Sequence, residues 1–301
     1  MKRVIQYLFS VVVSSLLLVS CDDSEMPEEA EGGKKKVSKE LLDPDRAFNT
    51  TFDGKLFSVP SPIQTALLIK SADLNYNEKL LNPVSNQSNY TESNSKALNL
   101  GIYGADLGYV TLYDQNAQAM NYLNAVESLS NDLGMGGAFD ADFLTRFENN
   151  SSNEDSMLVI LTDAFRKGDN FLKENERKNV SALILTGGWL ESIYFATNLY
   201  EKSGNKDILT RIGEQKQSLE TILEILNEYN KDGQNDDIIE MLDELADTYQ
   251  GVQLNYVFKN SETDKERKIT TINSEMEISF EEGVKEKIIE LVNEIRSSII
   301  A

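Results

Sequence analysis

Ala97-Leu98-Asn99-Leu100-Gly101-Ile102-Tyr103-Gly104-Ala105-Asp106-Leu107-Gly108-Tyr109-Val110-Thr111-Leu112-Tyr113 is apolar on nearly every side of a helical period and carries a single charge, Asp106. A helix at the surface of a globular protein shows an apolar stripe opposite a charged face, whereas one that is apolar all round belongs at the centre of a bundle. A second run of the same kind is Val180-Ser181-Ala182-Leu183-Ile184-Leu185-Thr186-Gly187-Gly188-Trp189-Leu190-Glu191-Ser192-Ile193-Tyr194-Phe195-Ala196-Thr197-Asn198-Leu199-Tyr200, where the sole charge is Glu191. Two central helices of this type predict a helical domain with one large core.

Outward from these two, the pattern predicts a helix over residues 61–74, opened by Ser61 as cap and Pro62 at the first helical position. Further helices are expected over 114–133, closed by Gly134, Gly136 and Gly137, and in two amphipathic segments after Asp140 and Asn153. Others are expected over about 170–200, 206–229, 235–249 and 281–299. In the 206–229 segment Ile208, Ile212, Leu219, Ile222, Leu223, Leu226 and Tyr229 form a clean seam with charge opposite. Pro83 and the Asn/Ser-rich stretch 85–94 mark a loop, and 34–60 reads as an irregular approach with turn signals at Asp43-Pro44-Asp45 and Asp53-Gly54. Only Val252, Leu254, Tyr256 and Phe258 alternate with mainly polar neighbours, which predicts a two-stranded ribbon with 268–272. The expected fold class is all-α, an antiparallel multi-helix bundle of seven to nine paired helices with a small β-ribbon near residues 252–272.

Glycine inside a helix costs about 1 kcal/mol relative to alanine, so its repetition at Gly101, Gly104 and Gly108 asks for a packing reason. The three share one face, on which a second helix or a ligand could approach the backbone, and Gly187-Gly188 offers the same beside Trp189. A buried carboxylate is costly unless paired or hydrogen-bonded. Asp106 and Glu191 are therefore expected either to meet an Arg, a Lys or tyrosine hydroxyls inside the fold, with Arg146, Arg166, Arg177, Tyr103, Tyr109 and Tyr194 as candidates, or to face a cavity. If the two helices are neighbours, Tyr103, Asp106, Trp189, Glu191, Tyr194 and Asn198 become a candidate pocket, suited to a sugar, a peptide amine or a cation.

Composition narrows the chemistry. The chain has no histidine, which removes Ser-His-Asp and Cys-His catalysis, His-based zinc motifs and imidazole proton shuttles. An acidic loop over 228–237 fails as a calcium site, because aligning Gly233 with the EF-hand glycine puts Ile239 where the bidentate glutamate must stand. No metal and no cofactor are expected. With 29 basic against 50 acidic residues, a formal charge of −21, the surface would repel nucleic acid, and that partner class is rejected.

The N-terminus gives an address. Lys2 and Arg3 precede an apolar run over 4–19 and then Leu18-Val19-Ser20-Cys21, the form of a secretory signal with a cysteine at the cut. The run is shorter than the roughly 20 apolar residues of a membrane span. It resembles the lipobox of bacterial lipoproteins, whose cysteine is acylated. That resemblance implies lipid on Cys21, the only cysteine in the chain. The residues that follow, Asp22-Asp23-Ser24-Glu25-Met26-Pro27-Glu28-Glu29, cannot bury enough surface to fold and read as a flexible acidic tether. They also resemble the export signal of surface-exposed lipoproteins in Bacteroidetes. The expected organisation is a signal peptide over 1–20, lipidated Cys21 and tether over 21–58, and a helical domain over 59–301.

Residues 97–110 and 174–192, with their glycine-interrupted buried helices and Gly187-Gly188-Trp189, resemble a family of helical lipoproteins that recurs in Bacteroidetes genomes. The resemblance covers residues 95–229 and implies a lineage without supplying an activity. Two functions fit the sequence. One is a cell-envelope lipoprotein on the outer membrane, at the cell surface or facing the periplasm, whose non-catalytic domain binds a small molecule, a glycan or an envelope protein. The other is a glycosidase-like carboxylate hydrolase using Asp106 and Glu191.

Overall fold

The computed structural model describes residues 47–52, 55–60, 67, 69–70, 74–136, 141–151, 153–231, 233–265, 269–271 and 275–301. All lie within one compact unit, Val37–Ala301. The signal peptide, Cys21, the acidic run and Asp43-Pro44-Asp45 lie outside the described residues, as does most of the helix expected over 61–74, of which Leu67, Ile69 and Lys70 are helical.

The chain enters as an antiparallel hairpin, β1 (Ala47–Phe52) and β2 (Lys55–Pro60), with Phe52 paired to Lys55 across it. This corrects the expectation of an irregular approach and a tether to residue 58. Phe52 is buried against the Tyr229 ring, 5.6 Å away, and the Lys173 ammonium lies 4.1 Å from its centroid, so the hairpin is fastened to the helical body. Two short 3-10 turns, Glu78–Leu80 and Val84–Asn89, then form a strap across the bundle where a loop was expected.

Eight α-helices follow among the described residues: α1 (Ser93–Leu112), α2 (Asn116–Asp132), α3 (Ala141–Asn149), α4 (Glu154–Glu174), α5 (Lys178–Ser203), α6 (Lys206–Tyr229), α7 (Asp236–Tyr249) and α8 (Val284–Ile300). Local chemistry sets their ends. Asn153 caps α4 by accepting from the Ser156 N–H, and Asn205 caps α6 by accepting from the Asp207 and Ile208 N–H groups. Gly204, at φ 62°, closes α5 in the left-handed conformation. The expected helix over 170–200 is two helices, because α4 runs to Glu174 and Glu176 turns the chain at φ 57° before α5 begins.

Helices α1 and α5 form the most extensive pair, and α2, α6 and α8 pack around them. The glycines explain how close they come. A Cβ on Gly101 would run into the Ile184 carbonyl oxygen and stand 2.6 Å from the Gly188 nitrogen, and one on Gly187 would run into the Leu98 carbonyl. A Cβ on Gly104 would lie 2.6 Å from the Phe165 ring of α4. Protein, not ligand, fills the space beside all three. The fold is the expected all-α bundle with a small β component.

The β-ribbon is longer than expected. β3 (Val252–Val257) pairs with β6 (Glu275–Phe280), and nested within them β4 (Glu262–Asp264) pairs with β5 (Ile269–Thr271). The partner of β3 is therefore not 268–272. Among the described residues, no helix is long and apolar enough to cross a membrane.

Candidate functional site

The close crossing of α1 and α5 brings Asp106 and Glu191 together, each 0% exposed. Their carboxyls are within hydrogen-bonding reach of one another. Glu191 is held by Arg296 of α8 in a bidentate ion pair, with Nε 2.7 Å from Oε2 and Nη2 2.7 Å from Oε1. The second bond of Nη2 goes to the Leu80 carbonyl of the strap at 2.9 Å, and the guanidinium lies 4.0 Å from the Tyr194 ring centroid. Arg296 thus ties α8 to two elements, the strap through Leu80 and α5 through Glu191 and Tyr194, by hydrogen bonds and a cation–π contact.

Two buried carboxylates beside a single guanidinium cannot both be ionised without leaving a surplus buried charge. Burial raises the pKa of Asp106 well above its ordinary value, and the charge of Glu191 raises it further. Arg296 and the Asn82 N–H act in the other direction. Burial lifts Glu191 as well, with the Arg296 charge and hydrogen bonds and the Asp106 hydrogen bond opposing that lift. The consistent state is a neutral Asp106 donating to an ionised Glu191, and the cluster as a whole is uncharged. Oδ1 of Asp106 meets no donor, as an oxygen that itself carries the proton requires none, while Oδ2 accepts from the Asn82 N–H at 3.2 Å.

Asn82 is the hub of the surrounding polar layer. Its side-chain amide donates to the Tyr90 hydroxyl at 3.0 Å and to Asn99 Oδ1 at 3.3 Å, its Oδ1 accepts from Asn86 at 3.0 Å, and its carbonyl accepts from the Tyr122 hydroxyl at 3.0 Å. Burial raises the pKa of Tyr90, Tyr103 and Tyr122, so these phenols serve as donors. Asn99 and Asn86 donate to the Ile299 and Ile300 carbonyls at 3.1 and 3.4 Å, satisfying the end of α8.

The six candidate residues therefore divide. Asp106, Glu191 and Tyr194 belong to the cluster. Tyr103 borders it, donating to the Pro83 carbonyl at 3.0 Å with its ring 6.2 and 6.0 Å from those of Tyr90 and Tyr122. Trp189 points elsewhere: two residues from Glu191 is about 200° around a helix, and its indole N–H donates to Gln215 of α6 at 2.9 Å. Asn198 donates to the Tyr194 carbonyl and to Asn293 of α8. The expected arginines are not the partners. Arg146 and Arg166 pair with Asp163, and Arg177 donates to the Leu133 carbonyl.

The cation that matters, Arg296, could have been found from its place among Ile288, Ile289, Val292, Ile295 and Ile299, since it lies on the apolar arc of its helix. Nothing in the local sequence singles out Asn82. Among the described residues no group of three or more acidic, histidine or cysteine side chains is placed to hold a metal ion. Compared with known family models, curated proteins and solved structures, the chain matches none.

Proposed function

We propose that this chain is a cell-envelope lipoprotein of the helical Bacteroidetes lineage, anchored to the outer membrane through lipid on Cys21, with a non-catalytic helical domain that binds a small ligand, a glycan or an envelope protein. The address is supported by the basic start, the short apolar run, the lipobox and the acidic segment after it. The domain then works at the cell surface or on the periplasmic face.

The observation that carries the non-catalytic reading is the enclosure of the two lone acids. A carboxylate hydrolase holds its acid and base about 5 to 9.5 Å apart, across a cleft that admits substrate. Here both carboxyls are 0% exposed, within hydrogen-bonding reach of each other, and Glu191 is clamped by Arg296. A glycan would have to displace α8 to reach them. The glycosidase-like alternative therefore has no support from the geometry of this pair.

The test is expression of the whole chain in a lipoprotein-processing bacterium fed labelled palmitate. The wild type is expected to take up label, and Cys21→Ser to lose it and keep the signal peptide. An unlabelled wild type, or label that survives Cys21→Ser, contradicts the anchor. The purified lipidated protein is then screened by thermal shift against glycans, muropeptides, amino acids and divalent cations. A ligand at about 100 times its dissociation constant adds roughly 2.7 kcal/mol, an upward shift of several degrees. Turnover of any of these ligands would overturn the non-catalytic reading.

A further inference from the structure

The strap, from Leu74 to Glu92, crosses the bundle over the Asp106–Glu191–Arg296 cluster with little regular structure of its own. Its turns are short 3-10 runs, and much of its remaining backbone is bonded to side chains of the helical body. The Leu74, Leu80, Asn82 and Pro83 carbonyls accept from Tyr113, Arg296, Tyr122 and Tyr103, at 2.6, 2.9, 3.0 and 3.0 Å. The Asn77 N–H donates to the Tyr109 hydroxyl at 3.0 Å, and the Asn82 N–H to Asp106 Oδ2 at 3.2 Å. A helix closes its bonds within itself, whereas each of these can be exchanged for a bond to water as the strap lifts. Apolar anchoring points the same way. The strap buries Leu80, Leu81 and Tyr90, whereas α1, of similar length, buries Leu98, Leu100, Ile102, Leu107, Val110 and Leu112 together with two tyrosines. The strap is therefore the least costly part of the enclosure to lift. Lifting it lets water reach Asp106 while Glu191 stays clamped by Arg296.

What lies beneath holds a proton that water would release. Asp106 faces Glu191 and Tyr194 of α5, Arg296 of α8, Tyr103 of its own helix, Tyr122 of α2, and Tyr76 and Tyr90 of the strap. Burial raises the phenols, Tyr76 to about 12, so they keep their protons at neutral pH. Arg296 stays charged beside Glu191. With one cation among two carboxyls, the enclosed cluster is neutral only while Asp106 is protonated. In water that carboxyl is ionised near neutrality. Strap opening therefore releases a proton, and low pH favours the closed form. Between the ordinary carboxylate range and the pKa of the enclosed group, each pH unit shifts the balance by up to about tenfold toward the open form. Above that window both forms are ionised and the balance levels off. The strap's own charges, Glu78, Lys79 and Glu92, are exposed in the closed form already, so opening changes their surroundings little.

We infer that the strap is a proton-linked cover, the first part of the domain to open, closed over a protonated Asp106 and lifting more readily as that proton leaves. The opening is an excursion of the native state, less costly than unfolding of the domain as a unit. It rests on the enclosure of the cluster, and neither on the lipid anchor nor on the identity of a ligand.

Amide hydrogen exchange of the whole chain, followed by mass spectrometry between pH 5 and 8 and corrected for the intrinsic rate at each pH, reads this opening directly. Peptides within 74–92 are expected to exchange about tenfold faster or more than those within α1 and α5. Their corrected rate is expected to climb by up to about tenfold per pH unit within the window, and Asp106→Asn to remove that climb. Tyr122→Phe keeps the ring and deletes the bond to the Asn82 carbonyl. It is expected to speed exchange of the strap about fivefold at every pH, the equivalent of one ordinary buried hydrogen bond, and to leave the climb in place. A strap that exchanges in step with α1 and α5 overturns the separate opening. A strap rate without the climb, or a climb that survives in Asp106→Asn, overturns the proton linkage. Exchange unmoved by Tyr122→Phe contradicts a strap held by side-chain bonds.

Discussion

At Asp106 several influences act on one carboxyl. Burial and the charge of Glu191 favour the protonated form, and Arg296 with the Asn82 N–H favours the ionised one. The first pair prevails, so the folded protein holds a proton that the unfolded chain releases above its ordinary pKa of 3.8. The stability linked to this group is fully present below that value and is lost as pH rises through the raised folded value. Within that window the slope approaches about 1.4 kcal/mol per pH unit. Asparagine can donate to Glu191 and accept from the Asn82 N–H as protonated aspartate does. Asp106→Asn is therefore expected to fold with near-wild-type stability at low pH and to become the more stable protein as pH rises, which urea titrations across pH 4 to 8 would measure. A slope unchanged by the substitution would mean that Asp106 is ionised in the fold. The two acids were legible in the sequence because each is the only charge in an apolar helix. Their cation is less plain, because Arg296 sits in a helix rich in charge and is marked only by its position on the buried arc.

For the elements, the informative contact is the crossing of α1 over α5. Gly101→Ala in an isolated helix would gain up to about 1 kcal/mol from propensity. At this crossing the added methyl meets the Ile184 carbonyl, a backbone atom that cannot swing aside, and overpacking of this kind costs about 1–3 kcal/mol or more. Gly101→Ala and Gly187→Ala are each expected to lower the melting temperature by several degrees in calorimetry, and a rise in either would mean that the helices stand further apart. Most helices were readable from their seams and caps, since Asn153, Asn205 and Gly204 are local signals. The strands were less so. Asp53-Gly54 is a strong hairpin turn signal, yet the flanking residues 47–52 and 55–60 show little alternation of apolar and polar types. Met276, Ile278 and Phe280 repeat the alternation of β3, but they adjoin Glu281-Glu282, which reads as the opening of the last helix. The strap is invisible to periodicity because its role lies in what Asn82 and Leu80 meet far along the chain.

Across the whole molecule, the cluster joins segments that are far apart in sequence. Glu191 and Arg296 are separated by 105 positions, and Arg296 and Leu80 by 216. Helix α8, last in the chain, is held by its arginine at one point and by Asn99, Asn86 and Tyr90 at its final carbonyls. The strap, α1, α5 and α8 are therefore secured by a single polar core, and the domain is expected to unfold as a unit around it. That the acids hold the core together is tested most directly by urea unfolding at neutral pH of Arg296→Met, Glu191→Gln and the two combined. Removing one member of a buried ion pair costs about 3–5 kcal/mol, because the other is left uncompensated. The structure predicts that loss for Arg296→Met and a substantial recovery when Glu191→Gln removes the stranded charge. An unchanged midpoint for Arg296→Met, or losses that simply add in the double variant, would contradict it.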